Sequence, residues 1–174
     1  LDKLAKEYLV LLNRAPSLHR LSILAFRPMF YKCGNAIRLN PYVCKPFNAD
    51  FDGDTMSVHV PLLPSSQKEA ANMLPSAVLF SAANGELIIS QKADIALGYH
   101  ILSRTDEGPQ KIELLFGVKG EPGKLPTDMK GIFKSCAEKN PSVFEEKLGS
   151  FTEMIRLILN DTAISLGLDD FIID

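Results

Sequence analysis

The sequence has few cysteines, no excess of basic charge and no long hydrophobic run. Its three cysteines, Cys33, Cys44 and Cys136, form no C-x-x-C pair, which excludes a zinc ribbon and a thioredoxin-type redox motif and favours reduced thiols. The formal net charge is −2, so contact with nucleic acid would require a local site or other chains. No apolar run approaches the roughly 18 residues of a membrane span, and we expect no membrane contact.

The composition that remains is typical of a folded protein. Of the 174 residues, 46% are hydrophobic and 23% are charged, which indicates a true core rather than a disordered tail. The chain starts without Met inside a helix-like pattern, and it stops just after an apolar run at residues 171–173. We therefore expect a fragment of a longer polypeptide.

Hydrophobic periodicity predicts an α+β chain with strands in the first half and helices in the second. Residues 1–12 have helical spacing, and the apolar runs 24–31 and 36–43 flank Gly34-Asn35, which predicts a β-hairpin. Alternation over residues 55–60 predicts a half-buried strand.

The remaining segments are predicted to be mainly helical. Capping-box spacing at Ser66 and Ser150 predicts helices over 66–74 and 150–166. A Gly- and Pro-rich stretch around one predicted strand, 112–118, suggests a division into regions 1–104 and 105–174. Periodicity predicts further helices over residues 92–103, 128–138 and 142–148, with a loop over 75–90.

An acidic loop at residues 48–54 is the most informative part of the sequence. It reads Asn-Ala-Asp-Phe-Asp-Gly-Asp, and its Asp50, Asp52 and Asp54 repel one another unless a cation such as Mg²⁺ lies among them. On a flat strand these carboxylates would span about 13 Å, whereas oxygens bound to one Mg²⁺ lie roughly 3 Å apart. The loop must therefore curl at Gly53, and we expect Phe51 to turn inward as its anchor.

Other interpretations compete for the acidic loop. An EF-hand fails, because Thr55 and Pro61 stand where that motif needs Gly and Glu. Residues 50–53 are similar to the D-x-D-G motif of haloacid-dehalogenase-like phosphatases, which need a buried strand before the motif and a helix after it. Residues 45–48 and 55–60 fit those requirements poorly. A solvated acidic turn in a non-catalytic metal-binding or assembly module also stays open.

The full heptad resembles the catalytic signature of the largest (β′) subunit of bacterial-type multisubunit DNA-directed RNA polymerases. The resemblance is close over residues 1–104, and a short string at 165–170 is also similar to the family. Arg14-Ala15 favours the bacterial or plastid enzymes over the eukaryotic nuclear ones. Besides the heptad, the resemblance is carried by flanking strings at residues 11–21, 25–28, 56–61, 81–86 and 94–98.

The resemblance implies a fold and a reaction. The fold is part of a double-psi β-barrel carrying the acidic loop, followed by a mainly helical pore-region segment. The reaction is Mg²⁺-dependent nucleotidyl transfer to the RNA 3′-end by a two-metal mechanism, with Asp50, Asp52 and Asp54 as ligands and the second ion delivered with the nucleotide. Arg14 and Asn48 match family residues that recognise the ribose of the incoming nucleotide.

The resemblance also implies partners and a location. The partners would be the β, α, ω and sigma subunits, template DNA, product RNA and nucleoside triphosphates, in the cytoplasm or the plastid stroma. The fragment alone would be inactive. Two positions depart from the family: Ala93 aligns with a Gln near the nucleotide, with Gln91 close by, and Thr55 replaces a frequent Gln.

Overall fold

A computed structural model describes residues 2–32, 34–90, 94–121, 123, 125, 129–162, 165 and 167. It divides into two compact units, Leu1–Gln91 and Lys92–Asp174. Helices together with a small antiparallel sheet confirm the predicted α+β class. The division at 104/105 stays a prediction, and Cys33, Gln91 and Ala93 lie outside the described residues.

The first unit is organised around a three-stranded antiparallel sheet with the strand order β2-β1-β3. The strands are β1 (Val10–Asn13), β2 (Ile23–Phe26) and β3 (Ser57–His59). Leu12 of β1 lies opposite Leu24 on one side and Val58 on the other. The helix predicted over residues 1–12 is therefore wrong beyond α1 (Asp2–Glu7), because strand pairing on both sides claims the next apolar residues.

The predicted hairpin around Gly34-Asn35 is also wrong. Its first run supplies β2, which pairs with β1, and residues 36–40 form no strand. Pro41–Val43 form a 3₁₀ turn, capped where the Tyr42 N–H donates to Asn40 Oδ1 over 3.0 Å. Proline is pre-organised for the first position of such a turn and lacks a donor for a sheet ladder, which explains the outcome.

The core of the first unit lies directly beneath the acidic loop. It is formed by Leu12, Leu24, Val43, Phe47 and Ala49, with Phe26 and Met56 packed against it. Phe47 belongs to a short helix, α2 (Cys44–Phe47), and its ring lies 6.0 Å from that of Phe26, centroid to centroid. The last turn before the loop is therefore anchored by a buried aromatic side chain.

Two further elements complete the first unit. The predicted strand at 55–60 exists as β3, but it is not half-buried: all three residues are exposed, and Val58 retains 53% of its surface. The predicted helix at 66–74 exists as α3 (Pro64–Ala71) and begins at Pro64, so the capping box at Ser66 does not form. The Gln67 side chain ties α3 to the sheet, accepting from the Leu9 N–H at 2.8 Å and donating to the Leu9 carbonyl at 3.0 Å.

The second unit consists of helices α4 (Asp94–Leu102), α5 (Gly108–Phe116), α6 (Lys130–Lys139) and α7 (Pro141–Asp161). The first three helices each pack against α7. Aromatic rings fill the core, and those of Phe133 and Phe151 meet edge to face at 5.4 Å. Among the described residues, none of the helices has both the length and the apolar character of a membrane span.

Two predictions for this unit are wrong. Residues 112–116 of the predicted strand 112–118 belong to α5 instead, since Pro109 opens the helix and Gly117, at φ 71°, closes it. The two helices predicted at 142–148 and 150–166 are one helix, α7. Phe144, Leu148, Phe151 and Ile155 recur at helical spacing and form one buried face, which outweighs the capping signal at Ser150.

Candidate metal centre

The backbone turns away from the core between α2 and the acidic loop. Asn48 ends α2 in the left-handed region, at φ 47° and ψ 43°, and its N–H donates to the carbonyls of Cys44 and Lys45. Ala49 stays buried, and its N–H donates to the Cys44 carbonyl at 2.9 Å. Asp50 is the first exposed residue after this turn, so the acidic residues project outward from a fixed base.

The acidic loop is closed on itself. The Asp50 N–H donates to Asp54 Oδ2 at 3.1 Å, which ties the two ends of the segment together. Gly53 has φ 126°, a backbone conformation that residues other than glycine rarely adopt. The loop therefore curls at Gly53, as the separation of the three carboxylates requires.

The curl brings the three carboxylates together. One oxygen each from Asp50, Asp52 and Asp54 lies within 4.8 Å of the other two, and all three residues are exposed. Among the described residues, no other group of three acidic, His or Cys side chains converges in this way. An all-oxygen, carboxylate-only donor set matches the preference of Mg²⁺, so the residues fit that ion.

The carboxylates differ in their electrostatic surroundings. A hydrogen bond with Asp50, followed by the negative charge of Asp50, raises the pKa of Asp52. Hydrogen bonds from Arg14 lower the pKa of Asp54. The pair Asp50/Asp52 thus carries the mutual repulsion that a cation would relieve, whereas Asp54 already has a positive partner.

That positive partner is held in a bidentate ion pair. Arg14 Nε lies 2.7 Å from Asp54 Oδ2, and Arg14 Nη2 lies 3.1 Å from Asp54 Oδ1. The two side chains are 19% and 21% exposed. Arg14 directly follows β1, so the strand carries it to the loop. The family resemblance singled out Arg14 for ribose recognition, and the sequence contained no local signal for its pairing with Asp54.

Other candidate residues take different places. Asn48 is exposed at the base of the loop. Phe51 does not anchor the loop: it is 67% exposed, because Phe47 and Ala49 already fill the core beneath. A hollow of about 470 Å³ beside the cluster is lined by Asp50, Gly53 and Asp54 on one side and by apolar residues such as Ile37 and Leu39 on the other.

The surrounding elements differ from those that a phosphatase motif requires. A short helix, α2, precedes the acidic loop in place of a buried strand, and the strand β3 follows in place of a helix. The D-x-D-G string of residues 50–53 therefore lies in a context unlike that of haloacid-dehalogenase-like enzymes.

Known proteins contain segments similar to the one that carries the acidic loop. Residues 2–76, which contain the sheet, the acidic loop and α3, match the family model described as RNA polymerase Rpb1, domain 2. The chain resembles the β′ subunit of bacterial-type RNA polymerase. This β′-like chain is 50% identical over 111 residues to "DNA-directed RNA polymerase subunit beta'" of Treponema pallidum, which covers 63% of the chain and 8% of that relative.

Two more relatives give the same result. The β′ subunit of Chloroflexus aggregans is 54% identical over 109 residues, covering 62% of the β′-like chain and 7% of the relative. The β′ subunit of Desulfosudis oleivorans is 49% identical over 117 residues, covering 67% of the β′-like chain and 8% of the relative. The predicted resemblance is confirmed, and the β′-like chain spans less than a tenth of the length of these relatives.

Proposed function

We propose that this chain supplies the catalytic metal centre of a DNA-directed RNA polymerase β′ subunit, for Mg²⁺-dependent nucleotidyl transfer to the RNA 3′-end. The observation that carries the proposal is the convergence of Asp50, Asp52 and Asp54 to within 4.8 Å, in the segment that matches Rpb1 domain 2. Three carboxylates this close repel one another, and a bound cation would relieve that repulsion.

The three aspartates would hold the first Mg²⁺, and a second ion would arrive with the nucleoside triphosphate. Bound Mg²⁺ lowers the pKa of a coordinated 3′-hydroxyl and stabilises the charge that develops during in-line displacement. The chain's own contribution is position: α2 fixes the base of the loop, Gly53 permits the curl, and the Asp50 N–H holds Asp54 in place. Such positioning provides most of the catalysis in phosphoryl-type transfer.

Arg14 and Asn48 would recognise the ribose of the incoming nucleotide. A guanidinium donates and a carboxamide both donates and accepts, so the two can bond a 2′-hydroxyl, the group that distinguishes RNA from DNA precursors. Their positions support this role, since Arg14 contacts the acidic loop and Asn48 begins it. The hollow beside the loop offers room for a bound nucleotide.

The chain would act as part of a multisubunit enzyme. In this proposal the three-stranded sheet is one portion of a double-psi β-barrel and the second unit is the pore region, with the β, α, ω and sigma subunits, DNA and RNA as partners in the cytoplasm or plastid stroma. Exposed apolar side chains support further partners: Met29, Phe30 and Tyr31 are 91%, 59% and 63% exposed in succession.

The decisive experiment is charge removal at constant shape in the assembled enzyme. Asp52→Asn should abolish RNA synthesis and weaken Mn²⁺ binding, because the ligand set loses a carboxylate while assembly is unaffected. Asp106→Asn, at an exposed carboxyl of the second unit, is the matched control and should change neither. RNA synthesis that survives replacement of all three aspartates would refute the proposal. Absent metal binding would favour a non-catalytic module.

A further inference from the structure

The Asp54 carboxylate is more fully occupied than a free metal ligand. It accepts hydrogen bonds from Arg14 Nε at 2.7 Å, Arg14 Nη2 at 3.1 Å and the Asp50 N–H at 3.1 Å. A carboxylate offers about four acceptor positions in all. Roughly one position is therefore left for an incoming cation, and it lies next to a guanidinium of the same charge sign.

An ion shared by the three aspartates would compete with Arg14 for the Asp54 carboxylate. One oxygen each from Asp50, Asp52 and Asp54 lies within 4.8 Å of the other two, so an ion held by all three would bind the carboxylate that Arg14 already holds at 2.7 and 3.1 Å. Mg²⁺ and the guanidinium carry charge of the same sign, so the bound ion would repel Arg14.

We infer that Mg²⁺ and Arg14 compete for the Asp54 carboxylate, so that metal binding releases the guanidinium and makes its donors available to the nucleotide. The inference rests on the proposed function and adds an order of loading: the metal first, then the ribose. By linkage, a ligand that occupies the released Arg14 favours metal binding by the same factor. Arg14 thus acts as an internal counter-ion that occupies the centre until the metal arrives.

The first test is Mn²⁺ affinity, measured by electron paramagnetic resonance on the assembled enzyme. Arg14→Ala should tighten binding about fivefold, because a competing bidentate partner is removed. Arg14→Lys keeps the positive charge but cannot form the two parallel hydrogen bonds to Asp54, so it should tighten Mn²⁺ binding less than Arg14→Ala does. Arg20→Ala removes a cation of the same unit that has no part in the loop, and it should leave the affinity unchanged.

A double-mutant comparison separates competition at Asp54 from general charge removal. In the Asp54→Asn background, Arg14→Ala should no longer tighten Mn²⁺ binding, because their shared carboxylate is gone. If Arg14→Ala weakens binding or leaves it unchanged in the otherwise unmodified enzyme, the inference is overturned. If the enzyme binds no Mn²⁺, or if Asp52→Asn leaves binding unaltered, the proposed function itself fails.

The second test follows the arginine directly. Phenylglyoxal modifies accessible guanidinium groups, and mass spectrometry of the Arg14 peptide measures the rate. Saturating Mg²⁺ alone should accelerate modification of Arg14 several-fold, and Asp52→Asn should remove that acceleration. A rate that Mg²⁺ leaves unchanged or slows, in an enzyme shown to bind the metal, would overturn the release of Arg14.

Discussion

Asn13 in β1 lies opposite Ser57 in β3, and this pairing brings Arg14 to Asp54 across 40 residues of sequence. Asn13 immediately precedes Arg14, and Ser57 comes shortly after the acidic loop, so the register of two strands sets the geometry of the centre. A slip of one residue would turn each side chain to the opposite face. The candidate centre is therefore a product of strand pairing as much as of the acidic heptad.

The first prediction concerns the curl of the acidic loop. Gly53→Ala should weaken Mn²⁺ binding about tenfold or more, because a residue with a Cβ is strained at φ 126° and the carboxylates would move apart. An added Cβ meets no heavy atom within 4 Å, so the effect reports backbone conformation rather than a clash.

The matched control for the curl is Gly131→Ala, in α6, where an added Cβ also meets nothing within 4 Å. Its Mn²⁺ affinity should equal that of the unmodified enzyme. An equal affinity in the Gly53→Ala enzyme would mean that the curl is not needed for metal binding.

The second prediction compares two phenylalanines at the loop. Phe47→Ala should lower the free energy of unfolding of the 174-residue chain by about 3–5 kcal/mol, because this 2%-exposed side chain fills the core under the loop. Phe51→Ala should change it by less than about 0.5 kcal/mol, because Phe51 is mostly exposed. Urea unfolding measures both, and comparable losses would contradict the outward orientation of Phe51.

The third prediction concerns helix packing in the second unit. Gly98→Ala in α4 should destabilise the chain by about 1–3 kcal/mol, because the added Cβ would collide with Ile155 Cγ2 on α7. Gly149→Ala in α7 should stabilise it by about 0.5–1 kcal/mol, because alanine favours the helix and its Cβ meets nothing within 4 Å. Thermal or urea unfolding of both variants checks the signs, and a stabilising Gly98→Ala would refute the close contact of the helices.

The fourth prediction is a pH dependence. Arg14 lowers the pKa of Asp54 in the folded chain, so ionised Asp54 favours folding above the unfolded-state pKa of about 3.9. That contribution is lost as the pH falls through the lower, folded-state pKa. Arg14→Gln should move the Asp54 pKa up toward its ordinary value, as read by NMR titration of the side-chain carboxyl. Arg20→Gln should leave it in place, and an unmoved pKa in Arg14→Gln would exclude Arg14 as the cause of the shift.

The parts of the chain that were predictable from sequence depend on local interactions. The curl at Gly53 follows from backbone freedom and charge repulsion within seven residues, and the helices α3, α4 and α6 follow from periodicity with nearby Pro and Gly. The resemblance to β′ subunits was carried by the acidic heptad and several short flanking strings, and it is confirmed by the relatives. The ribose-binding roles of Arg14 and Asn48 and the metal roles of the three aspartates stay predictions.

Other features were decided only by tertiary structure, because they depend on partners distant in sequence. β2 pairs with β1 rather than with residues 36–43, and this choice removes the predicted hairpin. Residues 112–116 join helix α5 because an apolar helical face packs on α7, although their propensity also suits a strand. Phe51 points outward because Phe47 and Ala49 occupy the core first.

The same division runs through the candidate centre. The sequence alone determined which residues could bind a metal, since three carboxylates around one glycine constrain the loop whatever surrounds it. Only the fold decided that Arg14 meets Asp54, because two strands separated by nearly half of the first unit must pair in one register to bring a guanidinium to a carboxylate. The charge balance of the centre is thus a tertiary property imposed on a locally encoded loop.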